Sequence, residues 1–271
     1  MVVAAGRDEV QVASSALLSC GATSIDERPA GDGVLLYATL ANDAPAEPVV
    51  ARLRSAGWPA VVRPAGGGHL AAWLGHTRPV VIDDRLWVSF PWSEFDRSLA
   101  PLLVEVDPGR AFGTGAHPST KLLITELAER LHVGESVLDV GCGSGVLSLC
   151  AARLGAAFVA AIDVREEALA VTRANAIRND LANTIDVSDR QVSDVAGLFD
   201  VILANIGAAT LVELAPQLQS RLRPTGWLGL SGISPAQVSK VSAAYPNLRV
   251  VAVTQDDDWS AIVALGPAAL S

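Results

Sequence analysis

Cysteine is scarce. The three present, Cys20, Cys142 and Cys150, are an odd number without the paired spacing of a zinc site or a disulfide framework. A reducing compartment is the simplest expectation, and no metal site is expected. Lysine is scarcer still: Lys121 and Lys240 are the only two among twenty basic residues. Set against 29 acidic residues, these leave a net charge of −9 and no basic face of the kind that grips nucleic acid. Direct nucleic-acid binding is therefore not expected, and an acidic chain suits a basic partner better. Long apolar runs are also missing. Arg153 and Asp163 break the longest candidate, so no membrane span is expected. Met1 to Val10 lacks a basic start followed by an apolar block, so no cleaved secretory leader is expected. Together these absences point to a cytoplasmic protein. Half of the 271 residues are apolar, enough to bury a sizeable core in one large domain or two modest ones.

What is present begins with a small α+β pattern. Val2 to Ala4, Ala22 to Arg28, Val34 to Leu40 and Ala60 to Arg63 read as strands. Glu9 to Leu18 and Ala46 to Ala56 read as helices, stopped by Gly21 and Gly57. The order βαββαβ is ferredoxin-like. Ala65-Gly66-Gly67-Gly68 reads as a linker. Around the stretch 69–98 cluster Trp58, Trp73, Trp87 and Trp92, with little periodicity, which suggests a connector packed on the larger domain. The expected division is a small domain over 1–64, a connector over 65–99 and a larger domain over 100–267.

From Leu102 onward strand and helix patterns alternate, as in a mostly parallel sheet covered on both faces. Strands are expected at Leu102–Val106, Ser136–Val140, Phe158–Asp163, Thr184–Val187, Asp200–Ala204, Trp227–Ser231, Arg249–Val253 and Ser260–Ala264. The link 254–259 is too short for a crossover helix, so the last two strands should run antiparallel.

The central motif is Val137-Leu138-Asp139-Val140-Gly141-Cys142-Gly143-Ser144-Gly145, an apolar strand entering a glycine turn that opens a helix. Gly141 and Gly143 let a ligand approach the main chain closely. A dinucleotide fingerprint needs a sixth-position glycine, but Val146 stands there. The turn therefore suits a nucleoside with a short charged tail and no pyrophosphate. Asp163, at the end of the next strand, can accept both ribose hydroxyls, or cap the helix near Arg165. Asn205, ending another strand, can accept from an incoming amine, or cap the helix before Thr210. The run from Asp107 to Thr120 holds Phe112 and three glycines, at 109, 113 and 115, before Pro118 at a helix start. Such a segment suits closure over a ligand, with Phe112 and Gly113 as contacts and Thr120 one turn into the helix. His117 reads as a cap or a polar residue with a local partner more readily than as a base.

This run, together with Asp139 to Gly145, Asp163, Ala204-Asn205-Ile206 and Leu230-Ser231-Gly232-Ile233, resembles the bacterial ribosomal protein L-eleven methyltransferase (PrmA) family. The resemblance implies a Rossmann-like α/β class I methyltransferase sheet with a small N-terminal ferredoxin-like domain. It implies S-adenosylmethionine as cofactor, held by Thr120, Gly141, Asp163 and Asn205. It further implies that the ferredoxin-like domain presents a basic ribosomal protein, before ribosome assembly, for N-methylation. The family's asparagine is usually followed by Ile-Leu-Ala; here Ile206-Gly207-Ala208 follows. The competing readings are a related methyltransferase acting on another protein lysine or a small amine, a degenerate cofactor-binding scaffold and, more distantly, a nicotinamide oxidoreductase.

Overall fold

A computed structural model describes residues 2–6, 9–20, 22–30, 33–40, 46–55, 58, 60–61, 79–93, 95–108 and 115–269. The chain divides into two compact units, Met1–Thr77 and Arg78–Ser271. Gly21, Gly57, the linker Ala65–Gly68 and Trp73 lie outside the described residues.

The first unit has β1 (Val2–Gly6), α1 (Val10–Ser19), β2 (Ala22–Ala30), β3 (Gly33–Leu40), α2 (Ala46–Ser55) and β4 (Ala60–Val61). Its sheet order is β2-β3-β1-β4, antiparallel throughout, which is the ferredoxin-like arrangement. Val3, Leu36 and Ala38 from the sheet meet Ala13 and Leu17 of α1 and Val49, Val50 and Leu53 of α2. The i, i+4 spacing of Ala13 and Leu17 gives α1 its one buried face.

The second unit opens with β5 (Val80–Val81), β6 (Leu86–Ser89) and β7 (Leu102–Glu105). The sequence pattern groups the strand at Leu102 with the main sheet. Instead, β7 pairs in parallel with β6 in a separate three-stranded sheet. Apolar alternation marks a strand but does not say which edge it joins. After it come α3 (Pro118–Arg130), β8 (Ser136–Val140), α4 (Val146–Arg153), β9 (Phe158–Ile162), α5 (Glu166–Arg178), β10 (Ile185–Ser188), β11 (Phe199–Asn205), α6 (Ala208–Arg221), β12 (Leu222–Ile233), α7 (Val238–Ala243), β13 (Arg249–Asp256) and β14 (Trp259–Leu265).

The seven-stranded sheet runs β10-β9-β8-β11-β12-β14-β13, with β14 antiparallel to both of its neighbours. This is the Rossmann-like order with the expected antiparallel strand. Side chains alternate between two cores. Val137, Val159, Val201 and Leu203 face Leu123, Ile124 and Leu127 of α3 and Leu149 of α4. Leu138, Ala160, Ile202 and Ala204 face Leu211, Ala215 and Leu218 of α6. Leu203 is fully buried, and truncating it to alanine should cost about 2–5 kcal/mol. The chain leaves β8 toward β9 and β10 on one side, then returns to β11 on the other. The resulting switch point lies between β8 and β11, where open α/β sheets form a crevice at the strand carboxyl ends.

Candidate active site

Local backbone geometry builds the turn after β8. Gly141, Gly143 and Gly145 all have positive φ (74°, 58° and 81°), a region costly for other residues. A Cβ on Gly141 would lie 2.5 Å from Ile206 Cγ2, and one on Gly145 would lie 2.7 Å from Thr172 Cγ2. Close packing of the turn against α5 therefore falls to a glycine in the fifth position. Thr172 also donates its hydroxyl to Gly143 O at 3.1 Å.

Asp163 follows β9 and is almost fully buried. Its Oδ2 accepts from Gly143 N at 3.0 Å, and its Oδ1 accepts from Arg165 N at 3.0 Å. The carboxylate is thus fastened both to the glycine turn and to the backbone at the start of α5, whose N-cap residue Arg165 makes no side-chain capping bond. Asn205 ends β11. Its Nδ2 donates to Thr120 Oγ1 at 2.9 Å, joining α3 to the strand end, while its buried Oδ1 has no partner among the described residues. The structure therefore brings Thr120 and Asn205 together, and Gly141 and Gly143 together with Asp163. Phe112 and Gly113 lie outside the described residues. His117 Nδ1 sits 2.8 Å from Ser119 Oγ, and its ring meets Trp259 edge-on with centroids 4.8 Å apart. Its side chain does not cap α3.

Sequence reasoning gave no role to Asp139, although it is the most perturbed carboxyl of the site. It lies inside β8 and is buried, with Oδ2 accepting from Ser148 N (3.1 Å) and Ser148 Oγ (2.6 Å). Its Oδ1 has no partner among the described residues. Burial pushes its pKa up to about 6; the Ser148 hydrogen bonds oppose this, and the nearby Asp163 charge adds to it. The signal in the sequence was a lone acid between apolar residues, two positions before a glycine turn. Gly232 was also missed as a shaping residue. It has φ +83°, and a Cβ there would lie 2.7 Å from Ile206 O and 3.1 Å from Asn205 Oδ1. At Gly207, by contrast, a Cβ would meet nothing within 4 Å among the described residues.

The model of one family, Ribosomal protein L11 methyltransferase (PrmA), matches residues 69–266. The chain belongs to the PrmA family. Among PrmA relatives, the ribosomal protein L11 methyltransferase of Geobacter sp. (strain M21) is 42% identical over 197 residues, covering 70% of this chain and 64% of that protein. That of Vibrio campbellii is 38% identical over 191 residues, again 70% and 64%. The chain thus spans under two thirds of the length of these relatives. The crystal structure of the ribosomal protein L11 methylase from Lactobacillus delbrueckii subsp. bulgaricus superposes with a TM-score of 0.64 at 29% identity, covering 69% of this chain and 97% of that one. Among the described residues no helix is long and apolar enough to cross a membrane.

Proposed function

We propose that this chain binds S-adenosylmethionine at the switch point and transfers its methyl group to lysine or N-terminal amines of ribosomal protein L11. One observation carries the reading. Asp139 Oδ1 and Asn205 Oδ1 are buried acceptors with no donor among the described residues, on adjacent strands beside a turn that Gly141 and Gly145 keep free of side chains. An ammonium, ribose hydroxyls and an incoming amine all bring N–H or O–H donors, which is what such a site lacks. Gly141 and Gly143 offer the backbone, Asp163 takes the ribose, and Thr120 and Asn205 take the methyl side. Phe112 and Gly113 belong to the same proposal.

When bound, the cofactor supplies a methyl on a positive sulfur, already electrophilic. The chain's work is then to hold the amine and keep water out. Asn205 is a neutral amide, fixed through Thr120; it holds an amine N–H and takes no proton. The amine therefore arrives neutral. At pH 7 that costs about 4.6 kcal/mol for a lysine side chain and about 1 kcal/mol for an N-terminal amine. Burial next to a cation lowers the cost further. No general base is required, and His117 is left out of the catalytic assignment.

The substrate is basic and is modified before ribosome assembly, which matches a chain of net charge −9 in the cytoplasm. Residues 1–64 recognise it, 65–99 connect, and 100–267 carry the transfer, with no direct contact to nucleic acid. The test is mass spectrometry of purified L11 after incubation with the chain and labelled cofactor. Methyl groups on L11 amines are expected. Asn205→Ala should lower turnover by about 5–100-fold, more than it lowers cofactor affinity, while Asp163→Ala should lose cofactor binding. Label found only on another protein or a small amine would overturn the substrate, and no heat on titration with S-adenosylmethionine would overturn the enzyme.

A further inference from the structure

β7 is the outer strand of its sheet, and only one of its edges pairs with β6. On that side Leu102 N donates to Arg85 O at 2.8 Å and Val106 N to Ser89 O at 2.8 Å. The peptide groups of Glu105 and Asp107 face the other way, along an edge that ordinarily waits for another strand. Side chains of α5 and its C-cap fill that edge. Asn179 Oδ1 accepts from Glu105 N at 2.8 Å and its Nδ2 donates to Glu105 O at 2.7 Å. One turn earlier, Asn175 Oδ1 accepts from Asp107 N at 3.0 Å and its Nδ2 donates to Asp107 O at 2.9 Å. The spacings agree: four helical residues rise about 6 Å, and two strand residues about 6.6 Å. Both amides are buried, 1% and 4% exposed.

The second Nδ2 hydrogens go to different places. That of Asn179 stays local, on Asn175 O at 2.8 Å. That of Asn175 reaches Ser144 O at 2.9 Å, inside the glycine turn. The described chain after Asp107 and Pro108 resumes at Gly115, where a Cβ would lie 2.7 Å from Val88 Cγ1 and 3.5 Å from Val146 Cγ2. Val146 is the first residue of α4, next to Gly145. Asp107 is thus joined to the turn through Asn175, while Gly115 packs on Val88 of β6 and lies near Val146.

We infer that Asn175 is a positioning residue for cofactor binding: one amide fastens the glycine turn at Ser144 to the strand stem at Asp107. This rests on the cofactor reading above. Asn179 bonds the strand and its own helix but not the glycine turn, which makes it a matched control. Asn175→Asp removes the donors to Asp107 O and Ser144 O, and Asn179→Asp removes those to Glu105 O and Asn175 O. Each variant loses two hydrogen bonds.

The experiment is calorimetric titration of the whole chain with S-adenosylmethionine, alongside thermal melting. Asn175→Asp should raise Kd by about tenfold or more, Asn179→Asp by less than about threefold, with similar losses in Tm. Equal weakening by the two, or parental affinity in Asn175→Asp, would overturn the inference. Should Asn175→Asp fail to fold, hydrogen exchange on the parent decides. Saturating cofactor should slow the Asp107 amide more than the Glu105 amide, and an Asp107 rate that does not change refutes the coupling. A parent that takes up no cofactor would instead refute the proposed function.

Discussion

Gly145→Ala tests whether the fifth-position glycine sets the approach of the turn to α5. Two separate costs arise. The backbone sits at φ +81°, where an L side chain costs about 1–2 kcal/mol. The new methyl would also meet Thr172 Cγ2 at 2.7 Å, Oγ1 at 3.0 Å and Cβ at 3.2 Å, an overpacking worth about 1–3 kcal/mol. The sum is about 2–5 kcal/mol, or roughly 5–15 °C in Tm for a unit of this size. Thr172→Ser separates the two costs. It removes the nearest atom yet keeps the hydroxyl that donates to Gly143 O. In the double variant the closest overlap is relieved, while the contacts with Oγ1 and Cβ and the strained φ remain. The combined loss should then fall short of the sum of the single losses by about 1 kcal/mol. Melting curves of the four proteins give the cycle. Additive losses, or Gly145→Ala melting within about 2 °C of the parent, would refute the packing argument.

Two further outcomes follow from the same site. Asp139 holds its proton up to about pH 6 when folded, against an ordinary value of 3.8. The folded state thus binds the proton more tightly than the unfolded chain, and on this account stability falls as pH climbs from about 4 to about 6. Asp139→Asn should abolish a fall of up to about 3 kcal/mol, read as a smaller Tm difference between pH 4.5 and pH 7; an unchanged difference would refute it. Gly232→Ala places a methyl against Ile206 O and beside Asn205 Oδ1. It should cut methyl transfer at least about tenfold while cofactor Kd moves less than about threefold, and a parental kcat would show that this acceptor does not meet the amine.

The parts of the site that were legible in the sequence are those where one short stretch carries its own physics. Asp163 and Asn205 each end an apolar strand, and the glycines announce a turn. The ferredoxin-like order was legible for the same reason, since turn residues punctuate short strands. Contacts between distant segments were not legible. Thr172 and Gly145 stand 27 positions apart, and nothing local marks the threonine as the neighbour that excludes a methyl. Asn175 and Asn179 sit in a helical pattern where asparagine is an indifferent choice, and weak helix propensity was the only hint of another duty. That hint becomes interpretable once β7 is known to have an open edge, and the sequence pattern had assigned β7 to the wrong sheet. The two omissions are therefore one. A strand placed in the main sheet has its peptide groups satisfied by neighbouring strands, so no side chain is sought for them. A strand at an edge leaves Glu105 and Asp107 to be accounted for, and that accounting leads through Asn175 to Ser144 and the turn.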